Sequence, residues 1–110
     1  MADAVVRQQV LDDGTVMFDL RGELDLAVND SLRSLLVDTI SRRRPPCVIV
    51  SMRHVVFIDS TGMGALVAAY HKATETGVGF EVRDLAPFVA EQLRATGLYD
   101  LLTRPAPDAG

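Results

Sequence analysis

An apolar run at residues 55–58, ending in the sequence D-S-T-G-M-G at residues 59–64, sets the strongest limit on the fold of this chain. The apolar run is typical of a buried strand. Aspartate and serine are favoured helix N-caps, because their side-chain oxygens accept the unpaired amide hydrogens of a first helical turn. Either Asp59 or Ser60 would serve as that cap. The segment therefore predicts a strand that passes directly into a helix.

The spacing of apolar residues after residue 62 predicts that helix and its buried face. The face comprises Met63, Leu66, Val67 and Tyr70, with Ala65, Ala68 and Ala69 as small neighbours. Ser60 and Thr61 then lie at a helix N-terminus, where amide hydrogens and about half a positive charge of the helix dipole favour an anion such as an attached phosphate. Gly62 and Gly64 are predicted to allow another backbone to approach closely.

Length and composition indicate one small domain. A chain of 110 residues has room for a single core, and a 48% hydrophobic fraction with 24% charged residues is that of an ordinary soluble domain. We expect an ordered core at about 4–102 and a flexible tail at 103–110. No apolar run approaches the roughly 20 residues that span a bilayer, and the N-terminus lacks a signal-peptide pattern. The prediction is a cytoplasmic protein that does not contact membranes.

The net charge argues against nucleic-acid binding, and the cysteine and histidine content argues against a metal site. A net charge of −4 does not favour direct nucleic-acid binding, which needs clustered Lys and Arg, and the only basic run, 42–44, ends a predicted helix. Cys47 has no cysteine partner and is predicted to be a buried core thiol. His54 and His71 lack the closely spaced ligand pairs of zinc sites. We therefore expect neither a metal site nor a cofactor.

An alternation of strands and helices predicts an α/β fold. The predicted elements are strands at 4–10 and 15–21, a helix at 27–41, strands at 47–50 and 55–58, the helix after residue 60, a strand at 78–83, a helix from 85 and a closing segment at 96–102. The first two strands form a hairpin around D-D-G, while later strands are joined through helices. This order predicts a mixed sheet of four to five strands with helices largely on one side.

An enzymatic role is not expected from this sequence. A serine nucleophile needs a base within hydrogen-bond reach, and Ser60 does not lie in a G-x-S-x-G turn. The glycines at 62 and 64 are not followed by the Gly-Lys-Ser/Thr of a phosphate-binding loop. The sequence therefore favours a binding module.

Three motifs together resemble one family. D-S-T-G-M-G at 59–64, G-E-L-D at 22–25 and T-G-L at 96–98 are similar to the motifs of the STAS domain, specifically of the anti-sigma factor antagonists, whose central motif reads D-S-[ST]-G-[LM]-G-x-L. The resemblance covers the chain from the second strand to Leu102 and implies a single STAS-like domain over 1–110. One departure is Ser51, where the family usually has aspartate, which predicts a less acidic neighbourhood for Ser60.

The resemblance also implies a function. An unmodified antagonist binds an anti-sigma factor that is also a serine kinase, and thereby frees a sigma factor for transcription. Phosphorylation of Ser60 would abolish that binding, and a serine phosphatase would restore it, with ATP and magnesium belonging to those partners. The implied partner-binding residues are Asp25, Asp59, Ser60, Thr61, Gly62, Met63 and Gly64.

Two alternatives remain open from the residues alone. Asp25 either forms one contiguous partner surface with the 59–64 loop, since both lie at helix starts after strands expected to be neighbours, or is only a helix cap. The whole domain is alternatively a constitutive STAS adaptor or scaffold module that is not regulated by phosphorylation, an alternative that Ser51 favours.

Overall fold

A computed structural model describes residues 5–105 and shows one sheet of four strands with helices packed on one of its faces. The strands are β1 (Val5–Val10), β2 (Val16–Leu24), β3 (Cys47–Ile58) and β4 (Gly79–Arg83). The helices are α1 (Asn29–Asp38), continued by a π-helical turn (Thr39–Arg43), then α2 (Ser60–Thr76), α3 (Pro87–Ala95) and α4 (Tyr99–Thr103).

The sheet has the order β1-β2-β3-β4 and is mixed, as the sequence predicts. β1 and β2 form an antiparallel hairpin in which Val10 lies opposite Val16, whereas β2, β3 and β4 are parallel. Parallel neighbours need a crossover, and the helices α1 and α2 supply it. The carboxyl ends of β2 and β3 therefore meet at the same edge of the sheet.

The two faces of the sheet differ in polarity. The predicted inward residues of β2, Val16, Phe18 and Leu20, are fully buried beneath the helices. The opposite face carries polar residues, which are Arg7, Gln9, Asp19, Arg21, Ser51 and Arg83. Such polar residues are compatible with a face that no helix covers, so the prediction of helices largely on one side is confirmed.

β3 is one strand of 12 residues, although the sequence predicts two short apolar runs. Its pairing with β2 shifts register between Asp19 and Arg21 and again between Gly22 and Glu23. Beyond the first shift the buried positions fall every third residue, at Met52, Val55 and Ile58. The alternation that identifies a strand in a sequence is lost at such shifts, so the continuous strand was not predicted.

The predicted helix at 27–41 forms as α1 and its π-helical turn. Leu32, Leu36 and Ile40 are buried, while Val28 and Leu35 are half-buried against the core. The helical segment ends at Arg43, before a left-handed Arg44 (φ 44°) that precedes two prolines. A residue before proline avoids the right-handed helical region, which explains why the helix stops there.

The buried face of α2 is rotated from the predicted one. Met63 and Leu66 are buried as predicted, but Val67 and Tyr70 are only half-buried, and the deeply buried positions include Ala65, Ala69 and Ala73. α1 packs on α2. Because alanine has only a methyl group, its face permits close approach of another helix, which a pattern based on large apolar residues does not register.

Cys47 differs from its predicted environment. The residue begins β3 and is only half-buried, so the prediction of a buried core thiol is wrong. Its partial burial, together with the nearby Glu81 carboxylate, raises the pKa of the thiol.

The predicted tail at 103–110 begins inside α4, which ends at Thr103. Residues 106–110 of that tail, and Ala4 of the first predicted strand, lie outside the described residues. Within residues 5–105, no helix is long and apolar enough to cross a membrane.

Candidate functional site

The turns that open α1 and α2 lie side by side. Leu24 at the end of β2 pairs with Ile58 at the end of β3, and the Asp59 backbone N–H donates to the Leu24 carbonyl at 3.2 Å. The segments that follow, 25–28 and 59–62, are therefore held at one edge of the sheet. This confirms the prediction that both helix starts follow neighbouring strands.

Asp59 is the N-cap of α2, which settles the alternative between Asp59 and Ser60. Its backbone is extended, and its Oδ1 accepts hydrogen bonds from the Thr61 hydroxyl at 2.6 Å, the Thr61 N–H at 2.9 Å and the Gly62 N–H at 3.0 Å. These bonds, that of the Thr61 hydroxyl above all, hold the pKa of the Asp59 carboxyl below its ordinary value. Asp59 is thus a fixed anion beside Ser60.

The two adjacent hydroxyls differ in availability. Thr61 is half-buried and donates its hydroxyl hydrogen to Asp59. Ser60, the first residue of α2, is exposed, and its hydroxyl has no hydrogen-bond partner among residues 5–105. Of the two, only the Ser60 hydroxyl is free to meet a group from another molecule.

Asp25 closes the turn that precedes α1. Its carboxylate accepts the Ala27 N–H at 3.1 Å, and its carbonyl accepts the N–H groups of Val28 at 3.2 Å and Asn29 at 3.1 Å. The N-cap of α1 is Val28, which makes no side-chain capping bond. Asp25 therefore stabilises the turn and is not the cap of the helix itself.

Asp59 also joins the two turns. The Leu26 backbone makes the smallest of several contributions to the lowered pKa of the Asp59 carboxyl. The bond from the Asp59 N–H to the Leu24 carbonyl ties the end of β2, where the 25–28 turn begins, to the start of α2. We call the exposed part of this junction, formed by Asp25, Leu26, Asp59 and Ser60, the helix-start surface.

The two glycines of D-S-T-G-M-G have different roles. Gly62 is buried, and a Cβ there would lie 2.9 Å from the Leu24 Cβ, 3.0 Å from its carbonyl carbon and closer still to its carbonyl oxygen. Gly62 thus allows β2 to approach α2, as predicted. Gly64 is exposed, and a methyl group added there would meet no atom of another element within 4 Å. The same prediction for Gly64 is therefore wrong.

Met63 lies in the core beneath the helix-start surface. Its side chain is 6% exposed and belongs to the core, and the Thr96 hydroxyl lies 3.6 Å from its sulfur. Of the seven predicted partner-binding residues, Gly62 and Met63 are buried, and three others are half-buried, namely Asp25, Asp59 and Thr61. The side chains that this site offers to another molecule are those of Asp25, Asp59 and Ser60.

Leu26 belongs to the same surface and was not predicted. Its side chain is 73% exposed, the largest exposure of any large apolar residue in the described chain. The signal in the sequence is that the residues three and four positions later, Asn29 and Asp30, are polar, so Leu26 cannot share the apolar stripe of α1. An exposed leucine beside a free serine adds an apolar contact to the site.

Ser51 does not influence the charge around Ser60. At about 3.3 Å per residue, β3 carries Ser51 roughly 20 Å from Ile58. The Ser51 hydroxyl instead lies 3.3 Å from the Asp84 carboxylate, which is also 3.6 Å from Arg53. The expectation that Ser51 makes the Ser60 neighbourhood less acidic is therefore wrong, because exposed charges interact in salt over only about 8–10 Å.

Comparison with known proteins identifies the family of this chain. The sequence profile of the STAS domain matches residues 5–108. The chain is 29% identical over 89 residues to the anti-sigma F factor antagonist of Paenibacillus polymyxa, covering 81% of this chain and 76% of that protein. With a match to its family over nearly the whole chain, the protein belongs to the STAS domain family.

Solved structures show the same fold. The anti-sigma factor antagonist SpoIIAA in its unphosphorylated form superposes with a TM-score of 0.79 at 19% identity, covering 94% of this chain and 90% of that one. The phosphorylated form of the Bacillus protein gives 0.72 at 18% identity, covering 94% and 93%. A sulfate transporter family protein from Wolinella succinogenes gives 0.73 at 26% identity, covering 86% and 75%.

Proposed function

We propose that this protein is an anti-sigma factor antagonist that binds an anti-sigma factor with serine kinase activity and releases a sigma factor, and that phosphorylation of Ser60 switches the binding off. The proposal is supported by the antagonist of Paenibacillus polymyxa to which the chain is similar. It is also supported by SpoIIAA, described in phosphorylated and unphosphorylated forms. Such a protein acts in the cytoplasm and binds neither nucleic acid nor membrane.

The observation that carries the proposal is the free hydroxyl of Ser60. A phosphate acceptor must reach the phosphate donor of a kinase, so its oxygen has to be exposed and unpaired. Ser60 meets both conditions, whereas the Thr61 hydroxyl is held by Asp59. Because Asp59 supplies the cap, the start of α2 does not depend on the Ser60 side chain.

Charge explains how one phosphate acts as a switch. Phosphorylation adds about −1.5 to −2 charges at neutral pH, beside the ionised Asp59 and within the surface that holds Asp25. Like charges brought together at a desolvated contact cost several kcal/mol, and the kinase partner carries the phosphates of its own ATP. The N-terminal dipole of α2 stabilises the phosphate within the domain, so binding is lost while the fold persists.

In this proposal the chain itself performs no catalysis. Its contribution is a shaped surface and an acceptor hydroxyl. ATP and magnesium are bound by the anti-sigma factor, and a serine phosphatase removes the phosphate. No group of three or more His, Cys, Asp or Glu residues arranged for a metal occurs within residues 5–105.

The proposal is tested by phosphorylation in vitro. Wild type, Ser60→Ala and Thr61→Ala are incubated with ATP, magnesium and each serine-kinase anti-sigma factor encoded in the same genome. We expect wild type and Thr61→Ala to be labelled and Ser60→Ala to remain unlabelled. Labelling of Ser60→Ala with loss in Thr61→Ala would move the acceptor to Thr61.

A second candidate is a constitutive STAS adaptor. The observation that favours it is the similarity to the sulfate transporter family protein of Wolinella succinogenes, which is higher in identity than the similarity to SpoIIAA. Under this alternative none of the three proteins is labelled, and Ser60→Asp binds the adaptor's partner as tightly as wild type does.

A further inference from the structure

An apolar groove continues from the helix-start surface along the side of the domain. It has a volume of about 230 Å³ and lies between β1 and α1. Its lining residues are Val6, Ala27, Val28, Ser31, Leu32 and Leu35. Ala27 and Val28 follow Leu26 directly, so the groove begins where the helix-start surface ends.

The groove exists because α1 packs chiefly on α2 and not on β1. β1 is an edge strand, and Val6 lies opposite the buried Leu20, so its side chain points to the face that the helices cover. Val6, Val28 and Leu35 contact the core yet stay half-buried. A strip of apolar surface is therefore left uncovered between the edge strand and the helix.

The chemistry of the groove restricts what it binds. Among residues 5–105, none of those that line the groove carries a charge, and Ser31 provides their only side-chain hydroxyl. Its volume lies below the roughly 300–1,000 Å³ of typical small-molecule sites and suits one or two apolar side chains. Leu26, whose side chain is 73% exposed, directly precedes the lining residue Ala27, so the groove adjoins the helix-start surface that contains Ser60.

We propose that an apolar side chain of the anti-sigma factor inserts into this β1–α1 groove, with Leu26 packing beside it. This inference rests on the proposed function and adds a second contact that does not depend on charge. Burying apolar surface at the centre of an interface provides affinity, whereas the charged contacts around Ser60 control orientation and switching. In this arrangement the groove contributes affinity to the unmodified complex, and the phosphate on Ser60 weakens that complex through its charge.

A pair of serines on α1 provides a matched test. Ser31 lines the groove, while Ser34 is exposed on the same helix and does not line it. Ser31→Arg fills the groove with a longer side chain, and Ser34→Arg makes the same chemical change outside it. Both residues are exposed, so both variants should melt near the wild-type temperature.

The measurement is the affinity of the unmodified proteins for the purified anti-sigma factor. We expect Ser31→Arg to weaken binding about tenfold or more and Ser34→Arg to leave it unchanged. Ser31→Arg should also need a higher concentration to reach the same rate of Ser60 phosphorylation, with the saturating rate preserved. Leu26→Ala should weaken binding in the same direction.

The outcomes separate this inference from the proposed function. If Ser60 is phosphorylated and Ser31→Arg binds as wild type does, the groove assignment is overturned and the antagonist function stands. If wild type neither binds the anti-sigma factor nor is labelled, both are overturned. Sedimentation of the protein alone gives the remaining result: a dimer that Ser31→Arg dissociates would assign the groove to a second copy and contradict the proposal.

Discussion

The turns that open α1 and α2 lie side by side but are stabilised in different ways. The start of α2 is fixed by Asp59, whose carboxylate accepts three hydrogen bonds from the first helical turn. The start of α1 has no side-chain cap, and Asp25 closes only the turn before it. The turn at the start of α2 is therefore held by hydrogen bonds next to the free Ser60 hydroxyl, whereas the turn before α1 exposes Leu26.

This difference separates stability from recognition within one surface. Asp59, Thr61 and Gly62 hold the start of α2 and are expected to matter first for folding. Asp25, Leu26 and Ser60 make fewer contacts within the domain and are expected to matter first for binding. Under the proposed function, modification of Ser60 would leave the helix cap intact, because Asp59 supplies that cap.

The largest effect on stability is expected from Gly62→Ala. The added methyl group would collide with the backbone of Leu24, and overpacking of this kind typically costs about 1–3 kcal/mol. Chemical denaturation measures the loss. Gly64→Ala is the matched control, since its methyl group meets nothing and alanine is favoured over glycine in a helix by about 0.5–1 kcal/mol. Equal effects of the two changes would refute the close approach of β2 to α2.

A smaller loss is expected from removing the carboxylate of Asp59. Asp59→Ala should destabilise the domain by about 1 kcal/mol at neutral pH, the typical value of an N-cap. Because the pKa of Asp59 is lowered in the folded state, its stabilisation is complete above its unfolded pKa of about 3.9 and is lost as the pH falls through the folded value. The difference between wild type and variant should therefore shrink below about pH 4. A difference that stays constant from about pH 7 to about pH 3 would contradict the role of the ionised carboxylate.

The smallest effect on stability is expected from Asp25→Ala. Its carboxylate makes one hydrogen bond in a turn, so the free energy of unfolding should change by no more than about 0.5 kcal/mol. Binding to the anti-sigma factor should nevertheless weaken, because Asp25 belongs to the helix-start surface. Asp38→Ala, at the far end of α1, is the control and should bind normally. A large thermal loss without a change in affinity would assign Asp25 to the fold alone.

Much of this fold was predictable because its signals are local. The D-D-G turn, the two prolines after Arg44 and the D-S-T-G cap each specify backbone geometry over a few residues. The alternation of Val16, Phe18 and Leu20 identified the buried face of β2. These short-range patterns determined the order of elements and, with the rule for parallel crossovers, the mixed sheet.

The parts that were missed depend on tertiary contacts. The register shifts that keep β3 continuous arise from its pairing with β2, and the burial of the alanine positions of α2 depends on how that helix packs on its neighbours. Whether Asp59 or Ser60 caps α2 depended on which side chain accepts the N–H groups of the first helical turn. The β1–α1 groove could not be predicted, because it exists only if α1 packs on α2 and not on β1. The residues of one helix do not show which neighbour that helix packs on.

The absence of a phosphate on Ser60 is expected to permit binding of the anti-sigma factor, and a phosphate on Ser60 is expected to prevent it. The direct test is the affinity of the anti-sigma factor for unmodified protein and for protein stoichiometrically phosphorylated at Ser60, measured by calorimetry with Ser60→Ala as control. We expect Ser60→Ala to bind as the unmodified protein does, and the phosphorylated protein to bind about 100-fold more weakly or worse, since a like-charge contact costs several kcal/mol. Equal affinity of the unmodified and phosphorylated forms would contradict the phosphorylation switch.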